Sequence, residues 1–238
     1  MKKVIIIGAT SGIGLQLAHQ LIKKGYIVGG CGRREEVLNN LEEQYPGKFY
    51  GQALDIRDTA SLDSRLQTLI DRLGGMDICV VGSGISRDNI LLETEVDRDI
   101  LQTNIMGYSA ALLFVARHFL RQRRGHLVGI TSLTKFFPNR SVPAYNASKA
   151  FAGNYLDSLR LRLQGKNFTV TEIIPGFIDT PMLKNPQRTF WLVPADKAAR
   201  QIITAIEKKR KRVVVSRRWY LIRWLLPWIP QWIYGKVT

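Results

Sequence analysis

The feature that most restricts this chain is a regular alternation of short apolar runs with longer amphipathic stretches. Runs at Lys3–Gly8, Tyr26–Gly30, Lys48–Leu54, Met76–Gly82, His126–Ser132, Phe168–Pro175 and Arg212–Ser216 read as strands. Between them, Gly12–Lys24, Arg33–Tyr45, Thr59–Leu73, Asp97–Arg123, Ala144–Leu163 and Pro194–Lys208 carry apolar residues at helical spacing, the fourth interrupted near Gly107. Strands of this kind alternating with helices predict an α/β fold, a parallel sheet buried on both faces. A chain of 238 residues holds one such domain with a substantial core, and no repeat or linker divides it. The expected division is a main domain over residues 1–216 and an aromatic, basic tail over residues 217–238.

The first strand runs directly into Gly8-Ala9-Thr10-Ser11-Gly12-Ile13-Gly14, and a helix follows. Glycines at a strand-to-helix turn permit a tight bend and let backbone N–H groups approach a pyrophosphate at the helix N-terminus. The turn therefore points to a dinucleotide and to a Rossmann-type doubly wound sheet. A protein selective for NAD would carry a carboxylate after the second strand, to hold the ribose hydroxyls. This chain has Cys31-Gly32-Arg33-Arg34 there. Arginine grips a phosphate through several donors, so the expected cofactor is NADP(H). The alternative is two solvated arginines at a helix start.

Further along, Tyr145 and Lys149 stand four residues apart in the stretch Tyr145-Asn146-Ala147-Ser148-Lys149, with Pro143 suited to the first turn. On a helix the two side chains share a face. An ammonium close to a phenol stabilises the phenolate, and so is expected to pull the tyrosine's value down from ~10. Such a phenol suits general acid–base chemistry. Taken alone, the pair is also an ordinary helix surface.

Together these residues resemble the short-chain dehydrogenase/reductase family over about Lys3 to Ser216. The family's Tyr-x-x-x-Lys matches Tyr145 and Lys149. Its strand-end serine matches Ser132 in Ile130-Thr131-Ser132, and its helix asparagine matches Asn104 in Leu101-Gln102-Thr103-Asn104. The glycine turn matches Gly8, Gly12 and Gly14, with Thr10, Ser11 and Ile13 between them. Asp55-Ile56 resembles the pair that flanks adenine, and Pro175-Gly176-Phe177-Ile178-Asp179-Thr180-Pro181 resembles the loop that meets the nicotinamide amide. Two departures stand out. Ile7 occupies the usual threonine position, and Val81-Gly82-Ser83-Gly84 replaces the family's Asn-Asn-Ala-Gly, a change bearing on local stability and cofactor geometry.

The resemblance implies carbonyl reduction by hydride from NADPH. Tyr145 would protonate the developing alkoxide, and Ser132 would hydrogen-bond the same oxygen. Lys149 would depress the tyrosine's value and hold the nicotinamide ribose, while Asn104 would support a water linking Lys149 to solvent. Cofactor contacts are expected from Gly8, Thr10, Ser11, Gly12, Ile13, Gly14, Arg33, Arg34, Asp55, Ile56, Gly84, Tyr145, Lys149, Pro175, Gly176, Ile178 and Thr180. A non-catalytic NADP(H)-binding sensor, or a membrane-associated interaction protein on the same fold, is the alternative. The family's subunit pairing implies a homodimer or homotetramer through the helices that include Asp97–Arg123 and Ala144–Leu163.

Leu133, Phe136, Phe137, Phe177, Met182, Leu183, Phe190, Trp191 and Leu192 fall where the family places its substrate loops. Their composition suits an apolar, lipid-like ketone: a long-chain 3-oxoacyl compound, a keto-sphingoid base or a steroid. Core packing and a small polar carbonyl are the competing explanations. Cys31 and Cys79 read as reduced core thiols, and His19, His118 and His126 as surface or structural, so no metal site is expected.

The net charge is +16, and ten cations against Glu207 put +9 of it in the last 39 residues. That balance favours an anionic partner. The tail sequence Trp219–Tyr234 is too short and too proline-broken to span a bilayer, yet its tryptophans and arginines suit an anionic membrane surface. Packing on the core, covering the cleft or joining subunits would explain it as well. No nucleic-acid motif accompanies the charge. The expected location is cytoplasmic, with a peripheral membrane contact.

Overall fold

The computed structural model describes residues 1–165, 167–183 and 191–222. Seven strands form one sheet in the order β3-β2-β1-β4-β5-β6-β9, every neighbouring pair parallel. They are β1 (Lys3–Ile7), β2 (Ile27–Gly32), β3 (Phe49–Ala53), β4 (Ile78–Val81), β5 (Gly125–Ile130), β6 (Phe168–Pro175) and β9 (Arg212–Val215). Each matches an apolar run read from the sequence, with ends moved by a residue or two. Chain order reverses between β1 and β4, the switch point at which the carboxyl ends of parallel strands open a ligand crevice.

Alternate residues of β1 feed two cores. Ile5 and Ile7 point to a cluster with α3 (Thr59–Leu73), α5 (Tyr108–Gln122) and α6 (Pro143–Arg162). Val4 and Ile6 point to a second cluster with α1 (Gly12–Lys23), α2 (Glu35–Gln44) and α7 (Ala195–Glu207). All four side chains are essentially inaccessible, as expected of a strand covered on both sides. The thiols of Cys31 and Cys79 are free and buried.

Three local features go beyond the sequence reading. The long helical region is α4 (Thr94–Leu101) and α5 joined without a break by a π-helical turn, Gln102–Gly107. A π-turn widens the helix and re-aims a side chain, here Asn104. After β5 the chain forms a short 3₁₀ turn, Leu133–Phe136, capped by Ser132. Finally, β7 (Ile178–Asp179) and β8 (Val193–Pro194) make a small parallel pair, and α8 (Arg217–Ile222) opens the tail. Among the described residues no helix is long and apolar enough to cross a membrane.

Candidate active site

The glycine turn is built for close approach. Gly8 has φ of +102°, a conformation open to glycine, and a Cβ on Gly14 would lie 1.9 Å from the Gly8 carbonyl oxygen. Ser11 precedes α1 with extended backbone and makes no side-chain cap bond, leaving the first amides of the helix facing outward. Thr180 closes over the turn, since a Cβ on Gly12 would come 3.0 Å from its methyl carbon. Beside it the Arg34 Nε donates to Thr10 Oγ1 at 3.3 Å. This cradle, which any side chain would fill, fits a pyrophosphate at a helix N-terminus.

The far end of the crevice is a cleft of about 360 Å³ lined by Arg33, Ala53, Leu54, Asp55, Asp58 and Arg65. Arg33 and Arg34 thus divide their work: one faces this cleft and the other braces the turn. Asp55 is held by Arg57 through the backbone N–H and the guanidinium, with contacts of 2.6–3.1 Å. Those bonds hold its carboxyl below the usual carboxylate range, with the charge of Arg33 adding to the effect. The Asp55 carboxylate therefore already has a protein partner. Ile56 is buried, and its carbonyl lies against Gly107, where a Cβ would approach it to 2.5 Å.

At the switch point, four side chains converge from three elements. Asn104, on the π-turn, accepts from the Ile85 N–H at 2.8 Å and donates to the Ile85 carbonyl at 2.8 Å. It also donates to Ser148 Oγ at 3.1 Å, and that hydroxyl donates to the Tyr145 carbonyl at 2.7 Å. Asn104 therefore ties the loop after β4 to the helix carrying Tyr145. Gly84 sits between Asn104 and Lys149: a Cβ there would be 3.2 Å from Asn104 Oδ1 and 3.3 Å from Lys149 Nζ. In the stretch that replaces the family's Asn-Asn-Ala-Gly, Ser83 packs on the glycine turn, its backbone nitrogen 2.8 Å from a Cβ built on Gly8. The Ser148 link was missed in the sequence, although the residue lies inside the Tyr145–Lys149 motif.

Ser132 Oγ accepts from the Thr134 N–H at 3.2 Å, and its hydroxyl lies near enough to the Tyr145 phenol to favour the phenolate slightly. The capping role a strand-end serine ordinarily has and contact with the tyrosine thus coexist. Lys149 Nζ stands 5.5 Å from the Tyr145 ring centre and 5.9 Å from that of Tyr108. The expected depression of the phenol is not what this arrangement produces. Burial pushes Tyr145 above its ordinary value, and the nearby Ser132 hydroxyl offsets only part of that rise. Lys149 is itself 6 % exposed, and burial draws it down to about 8. Removing both groups from water outweighs their mutual attraction, because the ammonium lies over the ring rather than on the oxygen.

On the far side of the cleft, Gly176 follows β6 and donates its N–H to the Val215 carbonyl at 2.6 Å. Trp219 of α8 lies directly over it: a Cβ on Gly176 would come 2.4 Å from the indole. The indole also meets the Phe177 and Trp191 rings edge-on, with centroids 5.6 and 5.2 Å away. Leu133, Ile174 and Val214 form a small core beneath it, with Phe136 and Phe137 packed against them. The start of the tail is therefore part of the wall beside the Pro–Gly loop. Phe190, also expected in that wall, lies outside the described residues, as does residues 223–238 of the tail. The histidines have structural contacts: His126 is buried with Nε2 at 2.8 Å from Thr171 Oγ1, and His19 meets the Tyr45 hydroxyl at 3.0 Å.

Comparison with known proteins agrees with this geometry. The family model described as short chain dehydrogenase matches residues 2–190. An uncharacterized oxidoreductase of Myxococcus xanthus is 34% identical over 186 residues, covering 76% of this chain and 74% of its own. The 3-oxoacyl-[acyl-carrier-protein] reductase FabG of Vibrio harveyi is 30% identical over 214 residues, covering 86% and 88%. The crystal structure of a 3-ketoacyl-(acyl-carrier-protein) reductase from Brucella melitensis, complexed with NADH, superposes with a TM-score of 0.80 at 20% identity, over 90% of this chain and 96% of that one. The chain belongs to the short chain dehydrogenase family, and is an oxidoreductase acting between carbonyl and alcohol groups.

Proposed function

We propose that this protein is an NADPH-dependent reductase that converts an apolar ketone to a secondary alcohol. The observation that carries the reading is the convergence of Asn104, Ser132, Tyr145 and Lys149 at the switch point, around a Tyr145 phenol that burial raises and so keeps protonated at neutral pH. A phenol raised by burial gives up its proton only to a strong base, and an alkoxide formed at a carbonyl is one. When bound, the nicotinamide supplies a hydride to the carbonyl carbon. Tyr145 delivers a proton to the carbonyl oxygen, and Ser132 donates a hydrogen bond to that same oxygen as charge builds on it. Lys149, at about 8, still carries its proton at pH 7 and lends positive potential behind the phenol as the proton leaves. Asn104 fixes the loop after β4 and the start of α6 relative to each other.

Residues Gly8, Thr10, Ser11, Gly12, Ile13, Gly14 and Thr180 would cradle the pyrophosphate. Arg33 would take a ribose phosphate in its cleft, with Asp55 and Ile56 at the adenine. Gly84, Pro175, Gly176 and Ile178 would frame the nicotinamide end. The wall of Leu133, Phe136, Phe137, Phe177, Trp191 and Trp219 supports an apolar substrate, and relatives named as 3-oxoacyl-[acyl-carrier-protein] reductases make a long-chain 3-oxoacyl compound the first choice to assay. The test is a ketone panel under NADPH, run beside NADH, with Tyr145→Phe as control. Loss of the general acid is expected to cost more than about a hundredfold in rate. Full activity of Tyr145→Phe, or activity confined to short polar carbonyls, would overturn the catalytic or the substrate assignment respectively.

Two further readings belong with this one. Met106, Leu113 and Leu120 are exposed at seven-residue intervals along the continuous α4–α5 rod, which supports pairing of subunits through that face. The charge and composition of the tail support contact of a cytoplasmic enzyme with an anionic membrane surface. Deleting residues 223–238 leaves Trp219 in place; unchanged binding to anionic liposomes would refute the membrane contact.

A further inference from the structure

We propose that Glu172 is a positioning residue for Ser132, acting as a clamp that holds the chain on both sides of that serine to one buried carboxylate. The inference rests on the reading of Ser132 as a donor to the substrate oxygen.

Glu172 lies within β6, in the stretch Phe168–Pro175 that otherwise reads as a buried strand, and its side chain has no solvent exposure. A carboxylate there is tolerated only if its lone pairs are met. Three side chains meet them. Thr131 Oγ1 donates to Oε1 at 2.9 Å, Lys135 Nζ reaches the same oxygen at 2.5 Å, and Arg212 Nε donates to Oε2 at 2.7 Å. Arg212 is in turn held by Asp157 at 2.5 Å. Thr131 directly precedes Ser132, and Lys135 follows it by three residues.

Between those two anchors the chain leaves the sheet. Thr131 makes the last ladder bond, its N–H donating to the Ile173 carbonyl at 2.8 Å, and Ser132 then turns into Leu133–Phe136. A strand end entering a one-turn 3₁₀ segment has little regular bonding to fix it. One carboxylate oxygen gripping both flanks supplies that constraint. The lysine crosses α6 at Gly153, one turn beyond Lys149, where a Cβ would lie 2.2 Å from Nζ. The clamp is therefore seated against the helix that carries Tyr145. A buried ion pair offers no stability advantage over an apolar pair of the same size, so what this cluster distinctively adds is orientation.

The test is a double-mutant cycle. Glu172→Gln and Lys135→Met are each made in the wild-type and in the Ser132→Ala background. The readouts are kcat and KM on the best ketone of the panel, NADPH affinity by fluorescence, and the Tyr145 signal in protein labelled with [13Cζ]tyrosine. Each single variant is expected to lose roughly tenfold to a hundredfold in kcat, the cost of a small misplacement of a reacting group. NADPH affinity is expected to hold. In the Ser132→Ala background the same changes are expected to cost nothing further, because the group they orient is gone. The Tyr145 signal, which senses its hydrogen bond, is expected to move in the direction that Ser132→Ala moves it.

Equal losses in both backgrounds, or full kcat with an unmoved Tyr145 signal, would overturn the clamp. If Glu172→Gln does not fold, Lys135→Met decides the question by the same readouts. If the wild-type protein turns over no ketone, the reductase reading fails separately, and the Tyr145 signal alone decides whether Glu172 orients Ser132.

Discussion

Replacing Lys149 with methionine is expected to abolish turnover and yet stabilise the cofactor-free protein. Lys149 is 6 % exposed, and burial moves it from an ordinary 10.5 to about 8. At 1.36 kcal/mol per unit, that difference corresponds to about 3 kcal/mol. The folded protein binds this proton more weakly than the unfolded chain does. Below pH 8 both states are protonated and the full cost is present; it fades as the pH rises toward 10.5 and is gone above it. Methionine keeps a chain of similar length and removes the charge. For a chain of this size, about 3 kcal/mol raises Tm by roughly 6–12 °C. The assay is thermal unfolding of wild type and Lys149→Met at pH 7 and again near pH 10.5. The gain should be large at the lower pH and should shrink toward zero at the higher one. An unchanged or lowered Tm at pH 7 would refute the reasoning. A gain equally large at both pH values would assign it to packing instead.

Two other expectations follow from single contacts. Arg33→Ser should lower kcat/KM for NADPH about tenfold to a hundredfold, the range for losing a hydrogen bond to a charged group, and leave NADH nearly unaffected; equal losses with both would remove Arg33 from phosphate recognition. His126 is drawn down to about 4 by burial, with Lys209 and Lys2 adding to the effect. Its neutral form therefore contributes stability that is complete above pH 6.5 and is lost as the pH falls toward 4, a loss of about 3 kcal/mol across that window. His126→Gln should flatten that limb of the stability–pH curve, and an unaltered acid limb would place the titrating group elsewhere.

Most of the frame was legible in the chain because its signals are short-range. Runs such as Lys3–Gly8 and Phe168–Pro175 announce strands by composition, and Thr59–Leu73 announces a helix by the spacing of its leucines. The glycine turn and the Tyr145–Lys149 pair are local as well, each set by a few adjacent positions. Packing decided what those positions became. The sign of the Tyr145 shift was misjudged in the sequence because one-turn spacing places the ammonium near the ring without saying how much water both groups lose. The π-turn under Asn104 and the Trp219 indole over Gly176 depend on distant residues, Ile85 in one case and Phe177 and Trp191 in the other.

Glu172 marks the boundary between the two kinds of information. A carboxylate inside an apolar strand is a conflict visible in the sequence, and the conflict says only that a partner must exist. Which partners answer it, Thr131, Lys135 and Arg212, was settled by tertiary structure, since they come from 41, 37 and 40 residues away and meet only when β5, β6 and β9 lie side by side. Local sequence determined that this chain would form a parallel sheet with a glycine turn at its first crossing. Long-range packing alone decided the ionisation and aim of the side chains there, because both depend on what surrounds a group rather than on what adjoins it in the chain.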